Sequence, residues 1–564
     1  MAKFKLSALR DFIPRTFELF NKKSGQPYNL KLFGRDCISG ITVGIIALPL
    51  AMAFSIAAGG SPAQGLYTAI VAGFFISFLS GSKFQIGGPT GAFVVIIFGV
   101  ISRHGMDGLI TATILAGFML IIMGLSGLGR FIKYIPYPVT TGFTTGIGLL
   151  IFFQQLKDFF GFQIEQSSPE FFEKFAEYIE HAPTFQPSTL VLGLGTITVM
   201  ILLRKFVPRI PGAVAGVILA TLACHVFSIP VDTIGSRFGG IPSSFPMPAM
   251  PVFSYELIRG VLPDAFTIAL LAAIESLLSS VVADGMTGDR HNANMELVAQ
   301  GVGNMASALV GGIPATGAIA RTAANIKAGA VSPISGIIHA ITLLLFVIFL
   351  SPLASMVPLA SLAAVLMMVA WDMSAVPRFA NIFRKAPKSD AIVLLTTFVL
   401  TVIVDLTFAV EIGVLLAVFL FMRRMVEVTG IKPGTKDIRE EILLKTPEGS
   451  GTVPEHSKYI EVYEITGPFF FGVADTLQRT LRILSKAPHA FILRMRDVPA
   501  IDSTGIAALE SFLIQCRHQK TALFLCEIRE QPMKALKKAG FVAELGKENI
   551  ADTLKEVLER AEKI

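Results

Sequence analysis

The sequence predicts an α-helical membrane protein with fourteen transmembrane segments in two inverted seven-segment repeats, followed by a small α/β domain. Three observations predict it. Hydrophobic residues are 52% of the 564 residues and charged ones 16%, with a mean hydropathy of +0.65; soluble domains run near a quarter charged. The apolar residues crowd between about 37 and 422, in runs near the ~20 residues a helix needs to span the bilayer core. Two Gly/Pro-broken strings also recur at matching places in the two halves.

The apolar segments fall at 37–58, 65–81, 84–101, 108–128, 134–155, 187–206, 211–229, 261–283, 295–311, 313–328, 332–351, 353–371, 390–407 and 408–422. Several are short or interrupted by Gly and Pro, and the last two could merge. With the N-terminus inside, the inner loops hold Lys83, Arg130, Lys133, Arg204, Lys205, Arg209, Arg290, Arg378, Arg384, Lys385 and Lys388, and Arg423 and Arg424 close the last span. The outer loops hold few basic residues: Arg103, Lys157, Lys174, Arg237 and Arg259. The longest of them, 156–186, is acidic, with Glu165, Glu170, Glu173, Glu177 and Glu180. This is the positive-inside asymmetry. It predicts a multi-pass membrane protein, in contact with lipid, with both termini cytoplasmic.

The same asymmetry accounts for the net charge of +7 without a nucleic-acid partner. The first 36 residues are polar and basic without an apolar core, and read as a cytoplasmic lead-in rather than a cleaved signal. Cys37, Cys224, Cys516 and Cys526 form no CxxC pair, so neither a disulfide framework nor a zinc site is expected. No phosphate loop, metal cluster or nucleophile triad marks an enzyme, and no cofactor is expected. The predicted organisation is an N-terminal segment 1–36, a first repeat 37–229, an outer connection 230–260, a second repeat 261–424, a linker 425–456 and a cytoplasmic domain 457–564.

The repeated strings are Gly87-Gly88-Pro89-Thr90-Gly91-Ala92 and Gly311-Gly312-Ile313-Pro314-Ala315-Thr316-Gly317-Ala318. Each opens the third segment of its half, about fifty residues after that half begins near Cys37 and Val261. Seven is odd, so the second half is inverted, and matched broken segments in inverted halves point to a transport site near the midplane. Pro89 and Pro314 suit the first turn of a helix, where a missing N–H costs nothing. Irregular backbone at membrane depth is tolerated where it is buried in protein or lines a cavity. Two facing half-helix N-termini would then present unpaired N–H groups and partial positive charge to a small anion. Either string alone would read as a kink or as close-packing small residues; the match between them favours a site.

Glu275 sits mid-span in the eighth segment, where an acid costs roughly 2.5–3.5 kcal/mol by the lower scales. It reads as a proton- or cation-coupling residue, as a protonated acid that hydrogen-bonds substrate, or as half of a structural pair. Ser279, at i+4, shares its face. Arg321, in the tenth segment, reads as the countercharge for an anion; the alternatives are a partner for Glu275 or a side chain reaching the inner water layer. Lys327 is expected to snorkel. Asp372, Asp405 and Glu411 read as interfacial. Phe54 could line a site wall or simply pack.

The strings GITVGIIALPLAMAFSIAAG (40–59), GGPTGAFVV (87–95), AAIESLLSSVVADGMTG (272–288) and GGIPATGAIARTAANIKAGA (311–330) resemble the sulfate permease (SulP) family over nearly the whole chain. The texture, including VLMMVAWDMS (365–374), is most similar to the bacterial aerobic C4-dicarboxylate transporter branch. The resemblance implies the seven-plus-seven fold of nucleobase transporters. In that fold a core (segments 1–4 and 8–11) moves against a gate (5–7 and 12–14) as an elevator, in a homodimer. It places the anion site at Phe54, Thr90, Gly91, Gly317, Ala318, Ile319, Ala320 and Arg321, and the coupling site at Glu275 and Ser279. It implies transport of a dicarboxylate, sulfate or bicarbonate, coupled to protons or to Na+, with exchange, channel and sensor behaviour as alternatives. Sodium-coupled bicarbonate members have Asp and Thr where this chain has Glu275 and Ser279, and Thr in place of Ile319, which counts against sodium. Some members carry an acid in segment 1, where Leu50 and its neighbours are apolar.

After about 430 the composition turns soluble. Strands are expected at 458–465, 489–496 and 521–527, and helices at 472–485, 503–518, 530–539 and 549–563, an alternation that suggests a small α/β sheet. TPEGSGTVP (446–454) reads as a flexible joint. RDVPAIDSTG (496–505) resembles a STAS domain, which implies a cytoplasmic protein partner. Ser503 matches a serine that related soluble antagonists phosphorylate; the reading preferred from the residues is that Ser503 caps its helix.

Overall fold

The structure, a computed structural model, describes residues 12–18, 28–130, 136–164, 168, 170–207, 210–243, 248, 254–404, 406–433, 460–470, 477 and 487–563. Lys133, Glu165, Arg209, Asp405, the joint 446–454 and nearly all of the expected helix 472–485 lie outside these residues. The chain forms two compact units, Met1–Leu415 and Leu416–Ile564.

The first unit is built from helices that start at ordinary caps. In α1 (Leu30–Ala57) Asn29 accepts the Leu32 N–H, so the helix begins seven residues before the apolar run expected at 37. In α2 (Pro62–Leu79) Ser61 and Gln64 form a capping box ahead of Pro62. After the two-residue strand β1 (Gly87–Gly88), the stretch α3 (Val94–Leu125) holds two helices that meet at Gly105 and supply the third and the fourth expected segments in turn. Gly105, at φ 67° and ψ −171°, is the non-helical joint between them, a conformation glycine adopts without strain.

Then come α4 (Tyr137–Phe160), α5 (Phe171–Glu180), α6 (Pro187–Phe206) and α7 (Gly212–Phe227). The amphipathic α5 lies in the acidic loop and was not expected there. The second half has α8 (Tyr255–Thr287), α9 (Ala293–Leu309), β2 (Thr316–Gly317), α10 (Ile319–Lys327), α11 (Ile334–Ser355), α12 (Leu359–Ser374), the amphipathic α13 (Val376–Lys385), α14 (Lys388–Ile403) and α15 (Leu406–Val428). The last two expected spans stay separate. The connection 230–260 holds a short helix, Ile234–Phe238, and α8 starts inside it at Tyr255. Among the described residues, eight helical stretches are long and apolar enough to cross a membrane; α7, α9, α10 and α14 have 16, 17, 9 and 16 residues.

The helices sort into two groups. In the core, α3 packs on α8 and α9, α11 on α1 and α2, α2 on α9, and α10 on α8 and α1. In the gate, α4 packs on α12 and α14, and α6 on α7 and α12. Packing of α12 and α7 on α1 joins the groups. Ion pairs among the described residues respect the predicted sides. Arg204 meets Asp372 at 3.0 Å and Lys83 meets Asp289 at 2.8 Å, all residues expected inside. Arg237 meets Asp158 at 2.5 Å, and Arg103 meets Asp264 at 2.7 Å, all expected outside. Glu411 and Lys327 are exposed.

In the second unit a five-stranded sheet runs in the order β3 (Gly430–Pro433), β4 (Ile460–Thr466), β5 (Ala490–Asp497), β6 (Ala522–Cys526), β7 (Ile550–Ala551). β3 pairs antiparallel with β4 and the rest are parallel. Alternation along β5 sends Phe491, Leu493 and Met495 to one core and Ala490 and Ile492 to another. The helices α16 (Ser503–His518), α17 (Glu530–Ala539) and α18 (Leu554–Ala561) cover it. The expected cap is corrected: Asp502, not Ser503, accepts the Gly505 N–H, at 2.8 Å. Ser503 is the first helical residue and is exposed. Burial pushes the Cys516 and Cys526 thiols up to about 12, so both stay protonated and inert.

Helix contact in the core is set by glycine. A Cβ on Gly65 would stand 2.0 Å from the Ala51 carbonyl oxygen, an atom of a neighbouring helix backbone that cannot swing away. Gly65→Ala is therefore expected to cost about 1–3 kcal/mol and to lower the melting temperature in detergent. Gly195→Ala, which meets nothing within 4 Å, is the neutral control; equal melting of the two variants would contradict this packing.

Candidate functional site

The two broken segments meet. β1 and β2 pair antiparallel, with Gly87 opposite Gly317 and Gly88 opposite Thr316. Because the strands run in opposite directions, α3 and α10 leave the pair oppositely, with their N-termini beside it. The expected register is corrected. The second Gly-Gly is not the counterpart of the first, because Gly311, at φ 72°, makes the turn that ends α9 and Gly312 N–H returns to Ser307 O. The strand lies further on, at Thr316–Gly317. Neither proline opens a helix. Pro89 follows β1 and Pro314 precedes β2, while the helices start at Gly91 (one 3-10 turn, Gly91–Phe93, leading into α3) and at Ile319.

Side chains from three core helices fix the pair. On α8, Ser276 Oγ accepts the Gly317 N–H at 3.0 Å and bonds Thr316 Oγ1 at 2.7 Å. Gln85 donates to the Ser276 carbonyl at 3.1 Å, and a Cβ on Gly317 would strike that amide at 1.5 Å, so only glycine fits. On α9, the Asn304 amide both donates to Ala315 O and accepts from Ala315 N–H at 2.8 Å, acting as a third strand beside β2. On α2, Thr68 Oγ1 accepts the Ile313 N–H at 2.7 Å.

The expected site residues mostly converge here. Thr90 is the residue before the 3-10 turn; its side chain caps nothing, and its Oγ1 is buried with no hydrogen-bond partner. Ala318 precedes α10 and has no capping atom to offer. Both half-helix ends thus lack a side-chain cap for their first N–H groups. Arg321, one turn into α10, is 3% exposed and donates Nη2 to Pro89 O at 2.5 Å, while its Nη1 is buried without a partner. A Cβ on Gly88 would lie 2.7 Å from that Nη1, so glycine makes room for the guanidinium. Phe54 is buried, and its ring edge, with Met373 of α12 and Ile151 of α4, closes over Gly91, where a Cβ would come within 3.2 Å of each. Ile319 is half-buried and Ala320 exposed, so their side chains stand outside this buried cluster.

Glu275 is buried on α8, one residue before the serine that holds β2, and has no hydrogen-bond or ion-pair partner among the described residues. The alternative pairing with Arg321 is therefore not made. Ser279 donates to Thr322 Oγ1 of α10 at 3.1 Å, and Thr322 in turn accepts the Ile86 N–H at 3.1 Å. Gln85, Ser276, Asn304, Thr316 and Thr322 were not singled out from the sequence. The available signal was a polar side chain inside an apolar segment.

Comparison with known proteins identifies the family and the fold. Residues 33–397 match the sulfate permease family and residues 453–557 the STAS domain. YvdB of Bacillus subtilis (strain 168), provisionally named a sulfate transporter, is 41% identical over 527 residues, 93% of this chain and 97% of that protein. The bicarbonate transporter BicA of Picosynechococcus sp. is 31% identical over 519 residues, covering 89% and 90%. The solved transmembrane domain of a cyanobacterial BicA covers 69% of this chain and 98% of its own, with a TM-score of 0.61. Murine Slc26a9, an anion transporter solved in an inward-facing state, shares the fold over 99% of this chain and 95% of its own, with a TM-score of 0.85 at 17% identity. These relatives bear sulfate, bicarbonate and anion names, and lend no support to the C4-dicarboxylate branch. The chain belongs to the sulfate permease family of anion transporters and carries a C-terminal STAS domain.

Proposed function

We propose that this protein is a secondary active transporter of a small oxyanion, sulfate or bicarbonate, held between the N-termini of α3 and α10. The observation that carries this reading is a pair of orphaned donors at one place, Thr90 Oγ1 and Arg321 Nη1, both buried and unpartnered beside the crossed β1–β2 pair. An unmet buried donor costs about 1–3 kcal/mol, more when charged. An anion accepting from both, and from the uncapped first-turn N–H groups, removes that cost and meets the helix dipoles.

Coupling is assigned to a proton on Glu275. A carboxyl buried without a partner is strongly disfavoured as an anion, and this one sits one residue from the serine that fixes β2. Protonation and anion binding are then two inputs to one rigid core. Sliding of that core against the α4–α6–α12 gate, within a homodimer in the bacterial inner membrane and with both termini cytoplasmic, gives alternating access. The STAS domain offers exposed Ser503 to a cytoplasmic partner.

The test is flux into proteoliposomes with sulfate, bicarbonate, succinate and chloride. Accumulation of sulfate or bicarbonate against its gradient, driven by an inward proton gradient, is expected; passive equilibration alone would mean a channel, and uptake of succinate in preference would restore the dicarboxylate alternative. Arg321→Ala is expected to weaken anion binding about 10- to 100-fold, the worth of a charged hydrogen bond, measured by calorimetry. Near-normal affinity would move the site elsewhere. Glu275→Gln is expected to weaken pH-driven accumulation severalfold while binding persists. An unchanged response to the pH gradient would remove Glu275 from coupling.

A further inference from the structure

One buried group at this site has no place in the scheme above. His339, on α11, is fully buried, and neither ring nitrogen has a hydrogen-bond partner. An imidazole carries one donor and one acceptor when neutral and two donors when charged, so it loses hydrogen bonds to water in either form, at about 1–3 kcal/mol for each buried group left unmet. Ser335, one turn earlier, is satisfied: it accepts from Asn325 and donates to the Ser332 carbonyl. An orphan in such surroundings calls for a functional reason.

Its position supplies one. The ring lies against Gly73 of α2, where a Cβ would sit 3.7 Å from Nδ1 and 3.3 Å from the Gly87 carbonyl. Gly87 and Gly88 are the two residues of β1, and the Arg321 guanidinium lies against Gly88. Arg321 and His339 therefore flank the same dipeptide. Other elements packed on α11 bring little charge near it. α2 carries only Tyr67. α1 carries Lys31, Arg35, Asp36 and Cys37, two or more turns before Gly44, the residue that packs on the His339 carbonyl. α10 adds exposed Lys327 at its far end. Arg237, on the short helix Ile234–Phe238, lies at the opposite end of α11, near Ser355.

Resting on the anion site proposed above, we infer that His339 is a second proton site, linked to that site through the charge of Arg321. With the site empty, a proton on His339 would add a second positive charge across one dipeptide in a low-dielectric core, where repulsion is large. An anion on Arg321 cancels the first charge and admits the second. The proton comes from water and leaves with the anion, so His339 and the anion are loaded and unloaded together. By linkage, anion and proton each raise the other's affinity by the same factor. His339 acts here through charge and is a positioning and coupling group rather than a ligand of the anion.

The experiment is calorimetric titration of the full chain with sulfate, in buffers of different ionisation enthalpy, which counts protons taken up per anion; bicarbonate replaces sulfate if the flux assay selects it. Wild type is expected to take up protons on binding, with affinity rising up to about tenfold for each unit the pH falls where one proton is taken up. His339→Gln is expected to bind the anion with a smaller uptake and a shallower pH slope. Glu275→Gln is expected to retain part of the uptake, which would vanish if Glu275 were the one proton site. Equal uptake in wild type and His339→Gln overturns the inference and leaves the anion site standing. Failure of wild type to bind any of these anions overturns both. Should His339→Gln fail to fold, NMR of ring-labelled histidine in the wild type decides: an imidazole among the eight that gains a proton as sulfate is added supports the inference, and none doing so overturns it.

Discussion

The membrane unit depends on a two-residue ladder. Gly87–Gly88 and Thr316–Gly317 pair backbone to backbone in the middle of a helical bundle, where unmet peptide groups are costly. That pairing lets two helices stop and restart inside the core, and it turns their uncapped N-termini toward one place. Glycine is required because neighbours stand where side chains would go: Gln85 at Gly317, Arg321 at Gly88 and the Ile76 side chain at Gly87. Ser276, Asn304 and Thr68 hold the approaches to the strands from three separate helices. The site is thus built on packed elements rather than loops, which suits recognition by preorganised N–H groups.

In the proposed scheme the same ties let one site respond to two events. α8 touches β2 through Ser276 and α10 through the Ser279–Thr322 hydroxyl pair. A change of charge at Glu275 is therefore felt one residue away, at the hydrogen bond that fixes Gly317. From the other side, α10 places Arg321 over Pro89 of the opposite arm, so each arm carries part of the binding surface of the other. Where Phe54, Met373 and Ile151 close over Gly91, core and gate residues share one apolar contact.

Much of this was legible in the sequence because membranes leave strong marks. Apolar length, basic loops and matched Gly/Pro breaks gave the two inverted halves, and isolated charges gave Glu275 and Arg321. The register of the second arm was not legible, since a Gly-Gly serves equally as strand or as turn, and only the end of α9 at Leu309 shows that Gly311 turns. The break between the third and fourth segments was legible in the polar string Ser102-Arg103-His104-Gly105, where Gly105 is the non-helical joint. Ser503 and Asp502 are both good caps, and adjacent residues cannot be ranked without the backbone. Gln85, Asn304 and Thr322 have partners far away in sequence, so their roles exist only in the folded chain.

A map of the protein with selenate bound would address the central claim directly, since selenate presents the oxygens of sulfate around a heavier atom. The account predicts density within hydrogen-bond distance of Thr90 Oγ1 and Arg321 Nη1, at the ends of both half-helices. Density elsewhere in the bundle, with those two groups still unpartnered, would contradict it.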